Sequence, residues 1–307
     1  MQRPILIIKH GALGDMVLAT AAFAAIRAHH PGATITLLTT RPYAAFFAAC
    51  PYVDEIWVDA KPKPYNLPGI FALYRLLNRK RWEMVYDLQT SRRSSAYWWL
   101  FRRPRPAFSG VARYASHRYR DPDRHSLHAL EHDRRQLAVA GITSASWPDL
   151  SWMQADIQEF HLPPCYALLV PGGAAHRPEK RWPAAYFSTL AKALGDRGLV
   201  PVLIGGTAEE HILTEIQQSC EKIINLSGRT SIQQLSMLAK GALLSVGNDT
   251  GPMHVIAASG CPSLVLFSAA SDPARSAPQG EHVKILRREK LADLSPEEVL
   301  EKALSLV

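Results

Sequence analysis

Short apolar runs alternate with longer segments of helical periodicity along the first half of this chain of 307 residues. The apolar runs predict strands at Pro4–Ile8, Thr34–Thr39, Glu55–Val58 and Met84–Asp87. The helical segments between them are Met16–His29, Tyr43–Cys50 and Gly69–Leu77. Strands separated by such helices are typical of βαβ units and a parallel sheet. Residues 102–135 have weaker periodicity, which predicts loops and a helix on the rim of this domain.

The same alternation starts again after a linker near Gln158–Pro164. It predicts strands at Tyr166–Val170, Val200–Ile204, Leu243–Val246 and Ser263–Phe267, of which the last is expected to close the sheet. The predicted helices are Ala184–Gly195, Glu209–Cys220, Ile232–Ala239, Gly251–Ala258 and, at the end of the chain, Pro296–Leu306. We therefore predict an α/β protein with two Rossmann-like, doubly wound domains, residues 1–157 and 158–307, facing each other across a cleft.

Composition narrows the class of protein. A content of 47% hydrophobic and 20% charged residues is that of a folded protein without bulk disorder. The four cysteines lie far apart without a CxxC pair, which disfavours a zinc site or a disulfide framework and favours a reducing compartment. Lys9 and His10 cut the first apolar run short, so neither a signal peptide nor a membrane span is expected. These features predict a cytoplasmic protein.

The net charge of +8 is concentrated in the first half of the chain. Such a basic face suits nucleic acid, an anionic membrane or acidic small molecules. Nucleic acid is disfavoured because no binding motif is present and aromatic residues are not interleaved with the basic ones. Ile70–Arg81 alternates apolar and basic residues, which suits either peripheral contact with an anionic membrane or a sheet-covering helix with a solvated face. The aromatic cluster Tyr97–Phe101 is expected in a buried helix, with lipid contact as the alternative.

The turn after the first strand has the sequence HGALGD, residues 10–15. Ligands of open parallel sheets bind beyond the carboxyl ends of the strands, so this turn is a candidate site. Its GxxG spacing lacks the GxGxxG fingerprint, which disfavours a dinucleotide-dependent dehydrogenase. Asp15 either caps the helix and complements its dipole, or removes a proton from an acceptor hydroxyl as a general base.

Two loops of the second half suit a diphosphate. Gly172–Pro183 is rich in glycine and cations, and it precedes a helix. Lys180 within it is either a solvated loop residue or a cation that stabilises the charge on a leaving nucleoside diphosphate. In the segment Gly247–His254, backbone N–H groups of Thr250 and Gly251 are expected to face a phosphate. Asp249 either accepts hydrogen bonds from sugar hydroxyls or caps the following helix.

With these turns in place, the sequence resembles the ADP-heptose:lipopolysaccharide heptosyltransferases, glycosyltransferase family nine. The matching segments are HGALGDMVLATAAFAAIR, PGGAAHRPEKRWP, VLIGGTAEE, LSGRTSIQQLSMLAKGALLSVGNDTGPMHVIAASGCPSLVLFS and a final Ser-Asp-Pro. The resemblance implies a GT-B fold and a metal-independent, inverting transfer of heptose. The donor would be ADP-heptose, as substrate rather than cofactor, and the acceptor an acidic lipopolysaccharide precursor glycosylated in its inner core. Another nucleotide sugar or a different core acceptor is the alternative, and a non-catalytic nucleotide- or nucleic-acid-binding protein is a third possibility.

The resemblance also implies roles for single residues. Asp15 would be the general base, and Lys180 would stabilise the diphosphate leaving group. The implied donor-binding residues are Gly172, Gly173, His176, Glu209 (or Glu210, near the ribose), Thr230, Asp249, Thr250, Gly251 and His254, for which packing is the alternative. The implied acceptor-binding residues are His10, Gly11, Ala12, Gly14 and Arg113. The chain departs from the family at Ala174, Ala175 and His176, where relatives often have Thr or Ser, and at Phe267-Ser268-Ala269-Ala270, which leaves the donor sugar open.

Overall fold

A computed structural model describes residues 4–143, 147–173, 177–220 and 222–307 of the chain. The chain divides into two compact units, Met1–Trp147 and Pro148–Val307. The division therefore lies upstream of the boundary after residue 157 that the sequence predicts. Ala174, Ala175 and the predicted donor residue His176 lie outside the described residues.

The first unit is built on a parallel sheet of six strands in the order β3-β2-β1-β4-β5-β6. The strands are β1 (Pro4–Ile8), β2 (Thr34–Thr39), β3 (Glu55–Val58), β4 (Met84–Asp87), β5 (Ala107–Gly110) and β6 (His117–Arg118). The helices are α1 (Leu13–His29), α2 (Arg41–Ala44), α3 (Leu67–Leu77), α4 (Arg92–Ala96) and α5 (Ala129–Val139). Ile5, Leu6, Ile7 and Ile8 are completely buried, as expected of a central parallel strand covered on both faces.

The second unit repeats this topology. Its parallel sheet of six strands has the order β9-β8-β7-β10-β11-β12, which is again third, second, first, fourth, fifth and sixth. The strands are β7 (Tyr166–Val170), β8 (Val200–Leu203), β9 (Ile224–Asn225), β10 (Leu244–Asn248), β11 (Ser263–Phe267) and β12 (Val283–Arg287). The helices are α6 (Ala184–Gly195), α7 (Glu210–Gln218), α8 (Ile232–Gly241), α9 (Gly251–Ala258), α10 (Pro273–Ser276) and α11 (Pro296–Leu304). In such doubly wound sheets the strand order reverses beside the first strand, and ligands bind at that point.

Several predicted elements differ from the structure. The helix predicted over Tyr43–Cys50 ends at Ala44, and the turns that follow bury the adjacent rings of Phe46 and Phe47, which a helix would point in different directions. The sheet of the second unit is closed by β12 rather than by β11; β12 is a partly exposed edge strand without a continuous apolar run. Residues 102–135 contain β5 and β6, whose Ser, Gly, His and Arg hide the strand pattern.

The described residues contain no helix that is both long and apolar enough to cross a membrane.

Candidate active site

Asn248, the last residue of β10, holds two loops of the second unit in place. Its side chain is completely buried. Its Oδ1 accepts a hydrogen bond from the backbone N–H of Trp182 at 3.0 Å, and its Nδ2 donates to the carbonyl oxygens of Pro171 at 2.8 Å and Gly172 at 3.1 Å. A buried amide with its groups satisfied makes the surrounding loops rigid. Sequence reasoning missed this residue, although a polar side chain at the end of an apolar strand was an available signal.

Lys180 and Asp249 come from different loops of the second unit and form an ion pair. Lys180 ends a short 3-10 helix, Pro178–Lys180, and Asp249 directly follows β10. The lysine Nζ lies 2.6 Å from Oδ2 of the aspartate, and the two side chains are only 14% and 8% exposed. The structure therefore brings together a cation suited to phosphate and a carboxylate suited to hydroxyl groups. A ligand carrying both kinds of group could replace each partner's contact with one of its own.

Glu209 occupies the backbone N–H groups of two glycine loops. Its Oε1 accepts from the N–H of Gly173 at 2.6 Å, and its Oε2 accepts from the N–H of Gly206 at 2.9 Å. A Cβ on Gly172 would lie 2.1 Å from Oε1 of Glu209, so a side chain at this position would displace the carboxylate. Arg181 donates through Nε to the Gly173 carbonyl at 3.2 Å. From the sequence, Gly173 is predicted to bind the nucleotide-sugar donor. In this structure the Gly173 N–H binds a carboxylate, so it is able to bind an anion.

Helix α9 begins two residues after Asp249 of the ion pair. Thr250 is its N-cap, and the Thr250 side chain makes no capping hydrogen bond. The Thr250 hydroxyl oxygen is buried and has no hydrogen-bond partner among the described residues. An N-terminus without a side-chain cap leaves its first N–H groups, including that of Gly251, available to an anion. His254 is buried in the first turn of this helix, and Thr230 is half-buried in the loop before α8.

In the first unit, His10 lies beneath the turn rather than on its surface. Its ring is buried, and Nε2 lies 3.1 Å from Oδ2 of Asp59. Asp59 also accepts from the Tyr97 hydroxyl at 2.5 Å and from the Lys61 N–H at 2.7 Å. Burial acts to raise the pKa of Asp59, but the contact with His10 and the hydrogen bonds from Tyr97 and Lys61 outweigh it, so the pKa lies below its usual value. The backbone N–H of His10 donates to Oε1 of Gln89 at 2.8 Å.

Asp15 lies in the first turn of α1 with an exposed side chain. Its Oδ2 accepts a hydrogen bond from the N–H of Ala12 at 3.2 Å, so the capping contact considered from the sequence is present. The ring of Tyr43 covers Gly11, where a Cβ would lie 2.3 Å from the tyrosine ring and where φ is +116°. Burial, together with the negative charge of Asp15, raises the pKa of Tyr43. The helical residue Gly14 is half-buried.

A cavity of about 490 Å³ opens above this turn. Its lining includes the backbone of the turn and polar side chains from the following loops: His10, Gly11, Ala12, Tyr43, Lys61, Gln89, Ser91 and Arg93. The cavity lies at the carboxyl end of β1, where the topology predicts a ligand. Its wall contains the cations Lys61 and Arg93, and the exposed carboxylate of Asp15 contacts the backbone of Ala12 in that wall.

A second cavity of the first unit, of about 1060 Å³, is strongly basic. Its lining includes Arg92, Arg113, Arg118, Arg120, Arg124 and His125. Asp121 also lines it, but this carboxylate is 3.0 Å from Nη1 of Arg135. Nε of Arg118 is buried and has no hydrogen-bond partner among the described residues. This cavity suits a ligand with several carboxylate or phosphate groups.

Three aromatic rings form one wall of the basic cavity. Trp98 and Tyr114 lie 5.4 Å apart at an interplanar angle of 32°, and the edge of Trp99 meets Tyr114 at 5.5 Å. The guanidinium of Arg105 stacks 4.2 Å from the centre of the Trp98 ring. The sequence predicts Arg113 at an acceptor site, and the structure places Arg113 here beside these rings. The sequence does not predict such a role for Arg118 or for the three aromatic residues. The available signal was the absence of any Asp or Glu between residues 88 and 120.

Comparison with known proteins agrees with this architecture. The profile of glycosyltransferase family 9 (heptosyltransferase) matches residues 70–304. The chain is 26% identical to lipopolysaccharide heptosyltransferase 2 of Salmonella typhimurium over 99% of the chain and 98% of the relative, and equally to that of Escherichia coli. A family 9 glycosyl transferase of Veillonella parvula has a TM-score of 0.88 at 24% identity, covering 99% of this chain and 97% of its own.

A second solved structure is that of the ADP-heptose lipopolysaccharide heptosyltransferase II of Escherichia coli. It has a TM-score of 0.81 at 24% identity and covers 100% of this chain and 98% of its own. At this identity the likeness concerns the fold. The prediction of an α/β protein with two Rossmann-like units of the GT-B class is thereby confirmed.

Proposed function

Because the chain belongs to glycosyltransferase family 9, the heptosyltransferase family, we propose that it transfers heptose from ADP-heptose to the inner core of an acidic lipopolysaccharide precursor. That it is a glycosyltransferase follows from the family. The donor is supported by the similarity to proteins whose structures contain ADP or an ADP-heptose analogue. The acceptor is supported by relatives named lipopolysaccharide heptosyltransferase 2.

In this proposal the second unit binds the donor. Lys180 leaves its contact with Asp249 or shares it, and neutralises charge on the diphosphate. The N–H groups of Thr250 and Gly251 bind a phosphate at the N-terminus of α9. Asp249 accepts hydrogen bonds from heptose hydroxyls, and Glu209 is assigned to the ribose. These groups take the place that a divalent cation has in many nucleotide-sugar enzymes, so transfer is proposed to be metal-independent.

The first unit binds the acceptor and removes its proton. The acceptor oxygen attacks the anomeric carbon of heptose, and the bond from that carbon to the β-phosphate oxygen breaks, so ADP leaves with the electron pair. A single displacement of this kind inverts the anomeric configuration. Asp15 takes the proton of the acceptor hydroxyl, for which its exposed carboxylate beside the smaller cavity is suited. The basic cavity takes the carboxylates and phosphates of the acceptor.

The observation that carries the proposal is the Lys180–Asp249 ion pair at 2.6 Å. It is followed directly by a helix N-terminus without a side-chain cap. Together they match a sugar diphosphate: Lys180 and the helix N-terminus suit its phosphates, and Asp249 suits its hydroxyl groups.

The test is to incubate the purified protein with ADP-heptose and a Kdo-lipid A acceptor, with and without EDTA. We expect ADP release and a heptose-sized gain in acceptor mass, both insensitive to EDTA. Absence of transfer, with tighter binding of another nucleotide sugar in a thermal-shift panel, would contradict the donor and leave the family unchanged. Loss of transfer in EDTA would contradict the metal-independent mechanism.

The proposal places the protein in the cytoplasm, where nucleotide sugars are made and thiols stay reduced. Cys165, Cys220 and Cys261 are free thiols in the structure. A reducing compartment would leave them so.

A further inference from the structure

Helix α3 has two apolar faces, one of them exposed. Leu73 and Leu77 are buried and pack in the core of the first unit with Trp82 and Val85. These residues belong to the amphipathic pattern that the sequence shows over residues 70–81, so that pattern is used inward. The exposed apolar residues lie at the other end of the helix.

An exposed stripe runs along the outer side of α3. Leu67, Phe71 and Arg75 follow one another at a spacing of four residues within α3, Arg79 lies in the bend after the helix, and all four are exposed. Such spacing places side chains on one side of a helix. Leu67 is 73% exposed and Phe71 60%, and together they form a contiguous exposed apolar surface rather than an isolated residue. We call these four residues the α3 stripe.

The loop before α3 extends the stripe. Tyr65 is 76% exposed, and Nζ of Lys63 lies 5.7 Å from the centre of its ring. Phe71 stacks on Tyr74 with ring centres 6.3 Å apart, and the Tyr74 hydroxyl accepts from Nε of Arg102 at 3.1 Å. The exposed apolar side chains of Tyr65, Leu67 and Phe71 are therefore flanked by cations, with Lys63 on one side and Arg75 and Arg79 on the other.

The segment that carries the stripe is basic. Residues 60–82 contain six Lys and Arg and no Asp or Glu. Lys80 among them pairs with Glu55 at 2.5 Å, whereas Arg75 and Arg79 are exposed. A surface that joins exposed apolar residues to an excess of cations is complementary to an apolar phase bordered by negative charge.

We propose that the α3 stripe, with Tyr65 and Lys63, docks the protein on the surface of an anionic phospholipid bilayer. Leu67, Phe71 and the Tyr65 ring enter the boundary between headgroups and acyl chains, where such residues are favoured. The basic residues contact lipid phosphates. These side chains project from one side of a helix, and a fluid lipid surface can adapt to such a shape. The positive charge beside them favours an anionic bilayer over an apolar groove of another protein.

The stripe is tied firmly to the basic cavity. Nδ2 of Asn78, directly after α3, donates to the carbonyl oxygen of Leu100 at 2.8 Å, and its Oδ1 accepts from the N–H of Arg102 at 2.8 Å. The residue preceding Leu100 is Trp99 of the cavity wall. Docking through α3 would therefore hold the cavity close to the headgroup layer. In this respect the inference adds to the proposed function, but the docking itself does not depend on the transfer reaction.

The test is cosedimentation of the full chain with vesicles of phosphatidylglycerol and phosphatidylethanolamine, compared with vesicles of phosphatidylcholine alone. We expect binding to the anionic vesicles only, decreasing with salt. The double variant Leu67→Ser/Phe71→Ser should bind about tenfold more weakly, because two apolar side chains no longer leave water. Arg75→Gln/Arg79→Gln should also bind about tenfold more weakly and depend less on salt.

The matched control is Val139→Ser/Leu243→Ser, which removes two apolar side chains that are 45% and 43% exposed elsewhere on the chain. It should bind vesicles as the wild type does. Heptose transfer to a water-soluble, delipidated acceptor should be unchanged in Leu67→Ser/Phe71→Ser, which separates docking from the proposed function. Equal vesicle binding by this variant and the wild type would overturn the inference. So would wild-type binding to phosphatidylcholine as tight as to the anionic vesicles, or no binding to either.

Discussion

The two units of this protein have the same strand order, but their charges differ in sign. Residues 1–147 carry 21 Lys and Arg against 10 Asp and Glu, and residues 148–307 carry 14 against 17. In each unit the loops after the first and fourth strands lie side by side, at the point where the strand order reverses. In the second unit this place holds one cation paired with one carboxylate, Lys180 and Asp249. In the first unit it holds an exposed carboxylate, Asp15, and a neighbouring cavity whose charged lining is mostly arginine.

The comparison shows that the sheet sets where ligands bind and the loops set which ligands they are. A balanced pair suits a small donor whose charge and hydroxyl groups are both recognised. An excess of cations suits a larger, multiply charged acceptor, whose phosphates and carboxylates differ in number and position. The predictions below test whether donor and acceptor functions are divided between the units in this way.

The largest effect is expected at Asp15. Asp15→Asn keeps an oxygen that can accept the Ala12 N–H but removes the base, so the transfer rate should fall by about three orders of magnitude. Initial rates of ADP release with both substrates saturating measure this. The affinity for ADP-heptose should be unchanged in a titration, because the residue lies in the first unit.

Comparison of Asp15→Ala with Asp15→Asn separates the two roles of this residue. It removes the base and the capping contact together, so it should be as inactive as Asp15→Asn and melt at a lower temperature. A variant that loses the cap and keeps full turnover would refute the assignment of Asp15 as base.

The next largest effect is expected at Lys180. Lys180→Ala removes the cation assigned to the diphosphate and leaves Asp249 without its partner, so kcat/KM for ADP-heptose should fall roughly a hundredfold. The KM for the acceptor should stay close to the wild-type value. The control is Lys192→Ala, which removes an exposed lysine of α6 in the same unit. A change confined to the acceptor KM would contradict the division of roles.

A smaller effect, on the KM for the acceptor rather than for the donor, is expected at Arg118. Arg118→Gln removes a buried donor group of the basic cavity, so the acceptor KM should rise about tenfold while the donor KM stays the same. Arg197→Gln removes the same charge from the second unit and serves as control. If both variants raise the acceptor KM equally, the effect comes from net charge rather than from this cavity.

An effect on stability rather than on activity is expected from two matching residues, Asp87 and Asn248. Each ends the fourth strand of its sheet and is completely buried, but only Asp87 can ionise. Burial raises the pKa of Asp87 to about 6, against the lowering effect of hydrogen bonds from Ser94 and Thr90. Between the unfolded pKa of about 3.9 and the folded pKa, the folded state therefore holds a proton on Asp87 that the unfolded state has lost. The stability that this protonated carboxyl contributes is lost as pH rises from about 4 to about 6.

Asp87→Asn makes the first unit resemble the second at this position. The free energy of unfolding of the wild type should decrease relative to this variant by on the order of 2 to 3 kcal/mol as pH rises through that interval. Melting temperatures of both proteins between pH 4 and pH 7 measure the difference. Parallel curves would mean that Asp87 titrates in the folded state as it does in the unfolded one.

The sequence predicts the elements whose burial is uniform and fails where burial is mixed. Strands such as β1 and β7 are continuous apolar runs, whereas β5 contains Ser109 and Gly110 and β12 is partly exposed. The cluster Tyr97–Phe101 was predicted as a buried helix, but it contains a 3-10 helix that buries Tyr97 and leaves Trp99 59% exposed. Local pattern does not specify which side of so short an element meets the core.

The candidate site shows the same division. Turns at strand ends mark Asp15, Lys180 and Asp249 in the sequence, because glycine and polar residues interrupt apolar runs there. Their partners depend on contacts between distant segments: Lys180 reaches Asp249 across 69 positions, and Asn248 holds the Pro171 carbonyl across 77. The basic cavity likewise forms only when the loops after β4, β5 and β6 come together.

The most direct test of the division between the units is hydrogen–deuterium exchange of the full chain with and without ADP. The account predicts the strongest protection in the second unit, in peptides that contain Gly173 and in those that contain Thr250 and Gly251. Peptides spanning residues 10–15 of the first unit should exchange at nearly the same rate in both conditions. Strong protection of residues 10–15, with the second unit unchanged, would contradict the assignment of donor and acceptor to these units.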